Sequence, residues 1–237
     1  MSGKGQKSSS VKKGCLKILI FGVLGLLSLL LVTLAALLAV LNHYSRGLPD
    51  VGKLRYYEPS ETTRIYAADG TLIATLFREN RTWTPLEKIS PNMVKAVLAI
   101  EDRRFYDHHG VDPIGVARAA YASYKGGDKQ GASTITMQLA RNLFLTPKRT
   151  IDRKIKEAIL AMQIEKRFTK QEILELYLNQ IYFGAGAHGV QAASSTYFNK
   201  KAKDLNIVEA SLLAGLPQAP TEYSPLVNKE ASQERQK

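Results

Sequence analysis

Residues 150–180 read TIDRKIKEAILAMQIEKRFTKQEILELYLNQ, and their spacing decides the fold class. Ile151, Ile155, Ala158, Ile159 and Met162 make one apolar stripe at helical intervals, while Leu160, Ala161 and Ile164 make another on the opposite side. A helix over 150–167, buried on two sides, is predicted, followed by a second over 170–179. Working outward, helical spacing also places helices at 112–124, 134–144, 187–198 and 206–214, and another begins after Ser90-Pro91, where Met93, Val94, Val97, Leu98 and Glu101 recur at three- and four-residue steps. The chain is expected to be mainly α.

One β signal interrupts this pattern. TTRIYAADGTLIATLF (62–77) sets Asp69-Gly70 between two segments rich in β-branched and aromatic residues, which predicts a small hairpin. Towards the N-terminus, ILIFGVLGLLSLLLVTLAALLAVL (18–41) is uncharged over 24 residues, where about 20 span a bilayer. It is too long for the apolar core of a cleaved signal peptide, so an uncleaved transmembrane anchor is predicted. The tail before it, 1–17, carries five lysines and no acid, which places that side in the cytoplasm and everything after Asn42 outside. The expected organisation is a basic tail at 1–17, an anchor at 18–41, a linker at 42–60 containing Pro49, Gly52 and Pro59, and one working domain at 61–237.

Net charge is +12, of which +7 remains once the tail lysines are set aside. That surplus suits anionic headgroups or a phosphate-bearing substrate, although from charge alone a generally basic surface is the favoured reading. The basic residues outside the tail are dispersed, so no nucleic-acid partner is expected. Cys15 is the only cysteine, which excludes a disulfide within the chain and leaves acylation beside the membrane as its one candidate role. His108 and His109 are adjacent, poor spacing for two ligands on one helix face, and no closed zinc site is expected. Gly184, Gly186 and Gly189 lack the strand context of a nucleotide-binding loop and are read as permitting close helix packing. KGGDKQGAS (125–133) reads as a loop, and Asn206 with Glu209 has capping-box spacing.

Two glutamates lie on apolar helix faces. Glu101 shares the face of Leu98, Val97 and Val94 near a helix C-terminus, where desolvation and the helix dipole both raise a carboxyl pKa. Glu157 shares the face of Leu160, Ala161 and Ile164. Glycosyl transfer commonly uses two partly buried carboxylates, one moving a proton and one stabilising charge or assisting the leaving group. The alternative is structural: Glu157 pairs with Arg153 or Lys154 on the preceding turn, and Glu101 marks a helix end.

Five stretches bear on that choice. EDRRFYDHHGVDPIGVARA (101–119) resembles the first signature of the peptidoglycan glycosyltransferases, the transglycosylase module of class A penicillin-binding proteins and of monofunctional transglycosylases. GASTITMQLARN (131–142) resembles the second, RKIKEAILAMQIEKRFTKQEILELYLNQIYFGAGAHGVQAA (153–193) the third and fourth, and EASLLAGLPQAPTEYSP (209–225) the fifth. The resemblance runs in family order over roughly residues 60 to 228 and implies a lysozyme-like fold with a cleft between two lobes.

It also implies roles. Glu101 would be the general base on the sugar 4-hydroxyl of the acceptor, lipid II, which attacks the anomeric carbon of the growing glycan chain and releases undecaprenyl pyrophosphate with inversion. Glu157 would be the second catalytic carboxylate, helping the pyrophosphate leave directly or through a divalent cation, Mg2+ or Mn2+. Arg118, Arg141, Arg149 and Lys154 would lie near the donor phosphates, with Lys148 and Arg153 as helpers. Ser133, Gln138 and Asn142 would line the donor site, and Ser133 has a helix N-cap as its structural alternative. Asp102 would orient neighbouring groups or contact substrate, or make a structural hydrogen bond.

Met137 stands where the family commonly has a second glutamine, and His188 where Tyr is frequent. Two rivals remain open: a lytic, lysozyme-like hydrolase, which would have no pyrophosphate to hold, and a non-catalytic membrane scaffold docking other cell-wall synthesis proteins. NKEASQERQK (228–237) is polar with no apolar segment following, which reads as a piece of a longer bifunctional protein.

Overall fold

The computed structural model describes residues 5–60, 62–126, 131–148 and 150–236, excepting the side chains of 5–19 and 37. Arg149, the Cys15 side chain and 127–130 of the expected loop therefore lie outside the described residues. The chain divides into two units, Met1–Leu48 and Pro49–Lys237.

The first unit is helix α1, Gly5–Ser45. Its stretch Ile20–Ser45 is long and apolar enough to cross a membrane. Large apolar side chains point outward along it, Phe21 and Leu26 each 72% exposed. The hydroxyls of Ser28 and Thr33 donate back to the carbonyls of Gly25 and Leu30 at 2.9 and 2.8 Å. In lipid an unsatisfied polar group is costly, and these two are satisfied within the helix itself.

The second unit is mainly helical, as expected. It opens with a 3-10 turn at Val51–Tyr56, inside the stretch read as linker, whose Val51 and Leu54 are buried. The hairpin follows: β1, Thr63–Tyr66, pairs antiparallel with β2, Leu72–Leu76. At its turn Gly70 takes φ +84, and Thr71 N donates to the Asp69 carboxylate at 2.9 Å. The helices are α2 (Pro91–Glu101), α3 (Pro113–Tyr124), α4 (Ile135–Phe144), α5 (Ile151–Glu165), α6 (Lys170–Gln180), α7 (Val190–Phe198), α8 (Ile207–Gly215) and α9 (Lys229–Gln236).

Side-chain oxygens start most of these helices. Ser90 and Asp112 cap α2 and α3 ahead of a first-turn proline; Thr134 and Thr150 cap α4 and α5; Thr169-Glu172 and Asn206-Glu209 form full capping boxes on α6 and α8. The core lies where α4 packs on both α5 and α6, with Ile135, Leu139, Leu160, Ile164, Ile173, Leu174 and Leu178 fully buried. Each such side chain contributes about 1.5–3 kcal/mol of burial. Helix α2 packs on α8, and α8 on α9, so the polar end of the chain is a packed element.

One predicted helix starts late. Residues 187 and 188 form a short strand, β4, parallel to β3 (Asn80–Arg81), and α7 begins only at Val190. Gly184, Gly186 and Gly189 all have positive φ, which no helix tolerates. A Cβ on Gly189 would sit 2.6 Å from the Asn179 carbonyl oxygen and one on Gly184 2.7 Å from the Pro220 carbonyl oxygen, so the close packing at these two glycines is that of a loop, which at Gly189 folds against the end of α6. That junction is tied by Arg81, fully buried, whose guanidinium donates to Asn179 O at 3.1 Å, to Gln180 and to Glu79.

Candidate active site

Glu101 is the last residue of α2, and the chain leaves the helix at Asp102. Its carboxylate accepts a 2.6 Å hydrogen bond from the Gln138 side-chain amide on α4. The other end of that amide, Oε1, accepts from the Tyr177 hydroxyl on α6 at 3.3 Å. Tyr177 is buried, which pushes its phenol well above the ordinary range, with the Glu101 charge adding to the rise. It is therefore a fixed donor, and it orients Gln138 with its NH2 towards Glu101. Burial also raises the Glu101 carboxyl; the Gln138 amide, Arg235 and Arg141 pull it back, and Asp102 pushes it further up. The result is a carboxyl suited to accepting a proton nearer neutrality than a surface glutamate.

Asp102 is buried, and both its oxygens are engaged. His108 Nε2 lies 3.0 and 2.9 Å from them, and Ile135 N, at the start of α4, donates at 3.0 Å. The structural hydrogen bonds expected as one alternative are thus present, and they lock the start of α4 beside Glu101. Thr134, not Ser133, caps α4: Thr134 Oγ1 accepts from Met137 N at 3.1 Å and donates to Gly110 O at 2.6 Å. Ser133 lies one residue too early to cap, and its hydroxyl accepts from Lys154 Nζ at 2.5 Å instead. Met137 is buried in the core.

Glu157 is fully buried in α5, with Arg153 Nε 2.9 Å from one oxygen and Lys154 Nζ 2.8 Å from the other. Both structural pairings are therefore made. The donor set does not fit a protein-held divalent cation: each oxygen faces a positive group, and among the described residues no three His, Cys, Asp or Glu side chains cluster.

Two open bays flank this framework. One, of about 480 Å3, is lined by Glu101, Asp102, Arg104, Arg118, Ser133 and Arg235 among others. The second, of about 460 Å3, is lined by Arg141, Asn142, Arg153, Tyr182 and His188 among others. Gln218 lines both. Arg118 thus stands in the Glu101 bay, while Arg141 and Asn142 stand in the other. Glu157 lies behind both: its partner Arg153 lines the second, and its partner Lys154 is bonded to Ser133, which lines the first. The His188 ring lies tilted against that of Tyr182, centroids 4.7 Å apart, and burial lowers its pKa, with Glu79 opposing that fall.

Sequence reasoning missed Tyr177, Gln218 and Arg235. Gln218 lay within the fifth signature without a role, Tyr177 reads as ordinary core, and Arg235 lies in a polar tail with no periodicity to place it.

Residues 69–237 match the family described as Transglycosylase. Over 221 residues the chain is 45% identical to penicillin-binding protein 1A of Aquifex aeolicus (strain VF5), covering 93% of this chain and 30% of that one. Over 180 residues it is 53% identical to penicillin-binding protein 1A of Escherichia coli (strain K12), covering 76% of this chain and 21% of that one. The chain thus spans less than a third of the length of these relatives. The crystal structure of penicillin-binding protein 1A from Haemophilus influenzae matches at 27% identity and a TM-score of 0.42, over 76% of this chain and 17% of that one. With a family match over most of its length, falling on the segment that builds both bays, this chain belongs to the transglycosylase family of class A penicillin-binding proteins.

Proposed function

We propose that this chain polymerises lipid II into β-1,4 glycan strands, with Glu101 as the general base. The observation that carries the reading is a carboxylate held on Gln138 at the floor of an open bay, raised by burial, with a second, cation-lined bay beside it. Glu101 takes the proton from the acceptor 4-hydroxyl as that oxygen bonds to the anomeric carbon of the growing chain. The bond from that carbon to the pyrophosphate oxygen breaks on the opposite side, giving inversion. Arg141, Arg153 and Lys154 meet the negative charge that develops on the departing undecaprenyl pyrophosphate. Glu157 is too buried to touch substrate; it holds Arg153 and Lys154 in place, and Asp102 fixes the start of α4.

A hydrolase acting on finished glycan has no pyrophosphate to hold and no use for this arrangement of cations. Helix α1 would anchor the enzyme in the cytoplasmic membrane by a single pass, the lysine-rich tail inside and Pro49–Lys237 outside, where lipid II and other cell-wall synthesis proteins are met. The test is incubation of the detergent-solubilised chain with labelled lipid II, reading glycan length on a gel. Polymer is expected from the wild type and none from Glu101→Gln. A folded wild type that binds lipid II without extending it would overturn the reading in favour of a scaffold.

A further inference from the structure

Arg235 is the one residue of the Glu101 bay supplied by α9. Helix α9 is held on α8 by Gln236, whose side-chain amide donates to Val208 O at 2.7 Å and to Ser211 Oγ at 3.0 Å. The stem of Arg235 lies against Gly215 so closely that a Cβ there would be 3.2 Å from its Cγ. Its guanidinium carbon is 5.9 Å from the centre of the Tyr223 ring. Two arginines near Glu101 and Glu157 have acidic partners, Arg104 lying 3.6 Å from Asp112 and Arg153 2.9 Å from Glu157, whereas Arg103, Arg118 and Arg141 form no ion pair among the described residues. Arg104, Arg153 and Arg235 each have a buried Nε without a hydrogen-bond partner, but of the three only Arg235 has no carboxylate within ion-pair distance among the described residues. A half-buried charge with part of its guanidinium shielded and left unpaired is costly, and such positions are kept where the charge acts on a neighbour or a ligand.

We propose that Arg235 is a positioning residue for Glu101: from the wall of the same bay its unpaired guanidinium keeps the Glu101 carboxylate charged and ready to accept a proton. The inference rests on the reading of Glu101 as general base. The groups around Glu101 can be taken element by element. On α2 and just after it, Asp102 opposes ionisation, and Arg103 and Arg104 line the bay, the latter facing Asp112; α3 brings the cation Arg118; α4 brings the neutral Gln138 and the cation Arg141; α6 brings the neutral Tyr177. Helix α8, packed on α2, has a single charged residue, Glu209, which is taken up by Asn206 and by Lys200 at 2.6 Å. Of the cations lining the first bay it is Arg235 that holds the Glu101 carboxyl down, as Arg141 does from the second.

The experiment is the pH dependence of lipid II polymerisation by the whole chain and its variants. Removing the positive charge lets the Glu101 carboxyl hold its proton to higher pH. Arg235→Gln should therefore move the acid limb of the rate profile up by about 0.5–1 pH unit, a three- to tenfold loss on that limb that recovers at higher pH. Arg235→Met keeps the stem against Gly215 and Tyr223 and should shift the limb equally; Arg235→Lys should keep it near its wild-type position. Gln236→Ala loosens α9 without changing charge and should leave the limb where it is. If Arg235→Gln and Arg235→Met lower the rate by one factor at every pH, Arg235 is merely structural and the proposal is overturned. A wild type without activity, or an active Glu101→Gln, would instead bring down the assignment of the base.

Discussion

Glu101 ends its helix at an open bay and meets a neutral amide, whereas Glu157 sits in the middle of its helix, fully buried, between two cations. The first is arranged so that its charge is expensive, the second so that its charge is required. A carboxylate whose charge is expensive can take a proton; one clamped between Arg153 and Lys154 serves by holding those cations still. The two glutamates looked alike in sequence, each an acid on an apolar helix face. The difference lies in what the neighbouring helices deliver to them.

The sharpest way to break this comparison is to neutralise each acid without changing its shape. Glu101→Gln should cut polymerisation by about 10²–10⁴-fold, with a melting temperature no lower than that of the wild type. Glu157→Gln should lower both activity and stability, because it leaves two cations facing a neutral amide. Breaking a buried pair costs about 3–5 kcal/mol; here about 2–3 kcal/mol is expected, since the Lys154 side chain is 43% exposed. Denaturant melts of the two variants beside activity gels would separate the roles. Equal destabilisation by both would mean that Glu101, too, is a structural acid.

A smaller effect concerns pH. Burial raises the Glu101 carboxyl in the folded chain, so the folded state holds its proton more tightly than the unfolded one. For a raised carboxyl the folded state is favoured while the group is protonated, and that advantage is lost as pH rises from the ordinary glutamate range, about 4.3, through the raised folded value. Relative to the wild type, Glu101→Gln should therefore gain stability at neutral pH and lose that gain below the ordinary glutamate range. Melting temperatures across pH 4 to 8 measure this, and a gap that stays constant over the range would show that the Glu101 carboxyl is not raised.

Much of this was legible in the residues because helices announce themselves by period and by caps. The spacing of Ile151 to Ile164 gave the central helix to within two residues, and Asn206-Glu209 gave the start of α8. Gly189 was harder: glycines at 184, 186 and 189 are compatible with close helix packing, and only the positive φ of each shows that the helix cannot begin before Val190. Arg81 and Arg235 left no trace, since a long cation in an irregular or polar segment carries no periodic signal; their burial depends on what α6 and α8 bring up against them. The site divides the same way. Glu101, Glu157 and Gln138 sit on helices and could be read, whereas the sorting of Arg118 into one bay and Arg141 into the other depends on tertiary packing.

The finest division lies between two adjacent hydroxyls. Ser133 and Thr134 are one residue apart, and either could cap a helix by type alone. Thr134 does so, accepting from Met137 N and donating to Gly110 O, so Thr134→Ala should cost about 1 kcal/mol of stability. Ser133 instead accepts from Lys154, the cation that also pairs with Glu157. Ser133→Ala should leave stability within about 0.5 kcal/mol of the wild type and slow turnover by roughly three- to tenfold, the equivalent of one ordinary hydrogen bond of about 0.7–1.4 kcal/mol. Melting curves and initial rates on the pair of variants would decide the matter. Should Ser133→Ala destabilise the chain as much as Thr134→Ala while leaving turnover intact, the link from Glu157 through Lys154 to the Glu101 bay is only scaffolding, and the two carboxylates work independently.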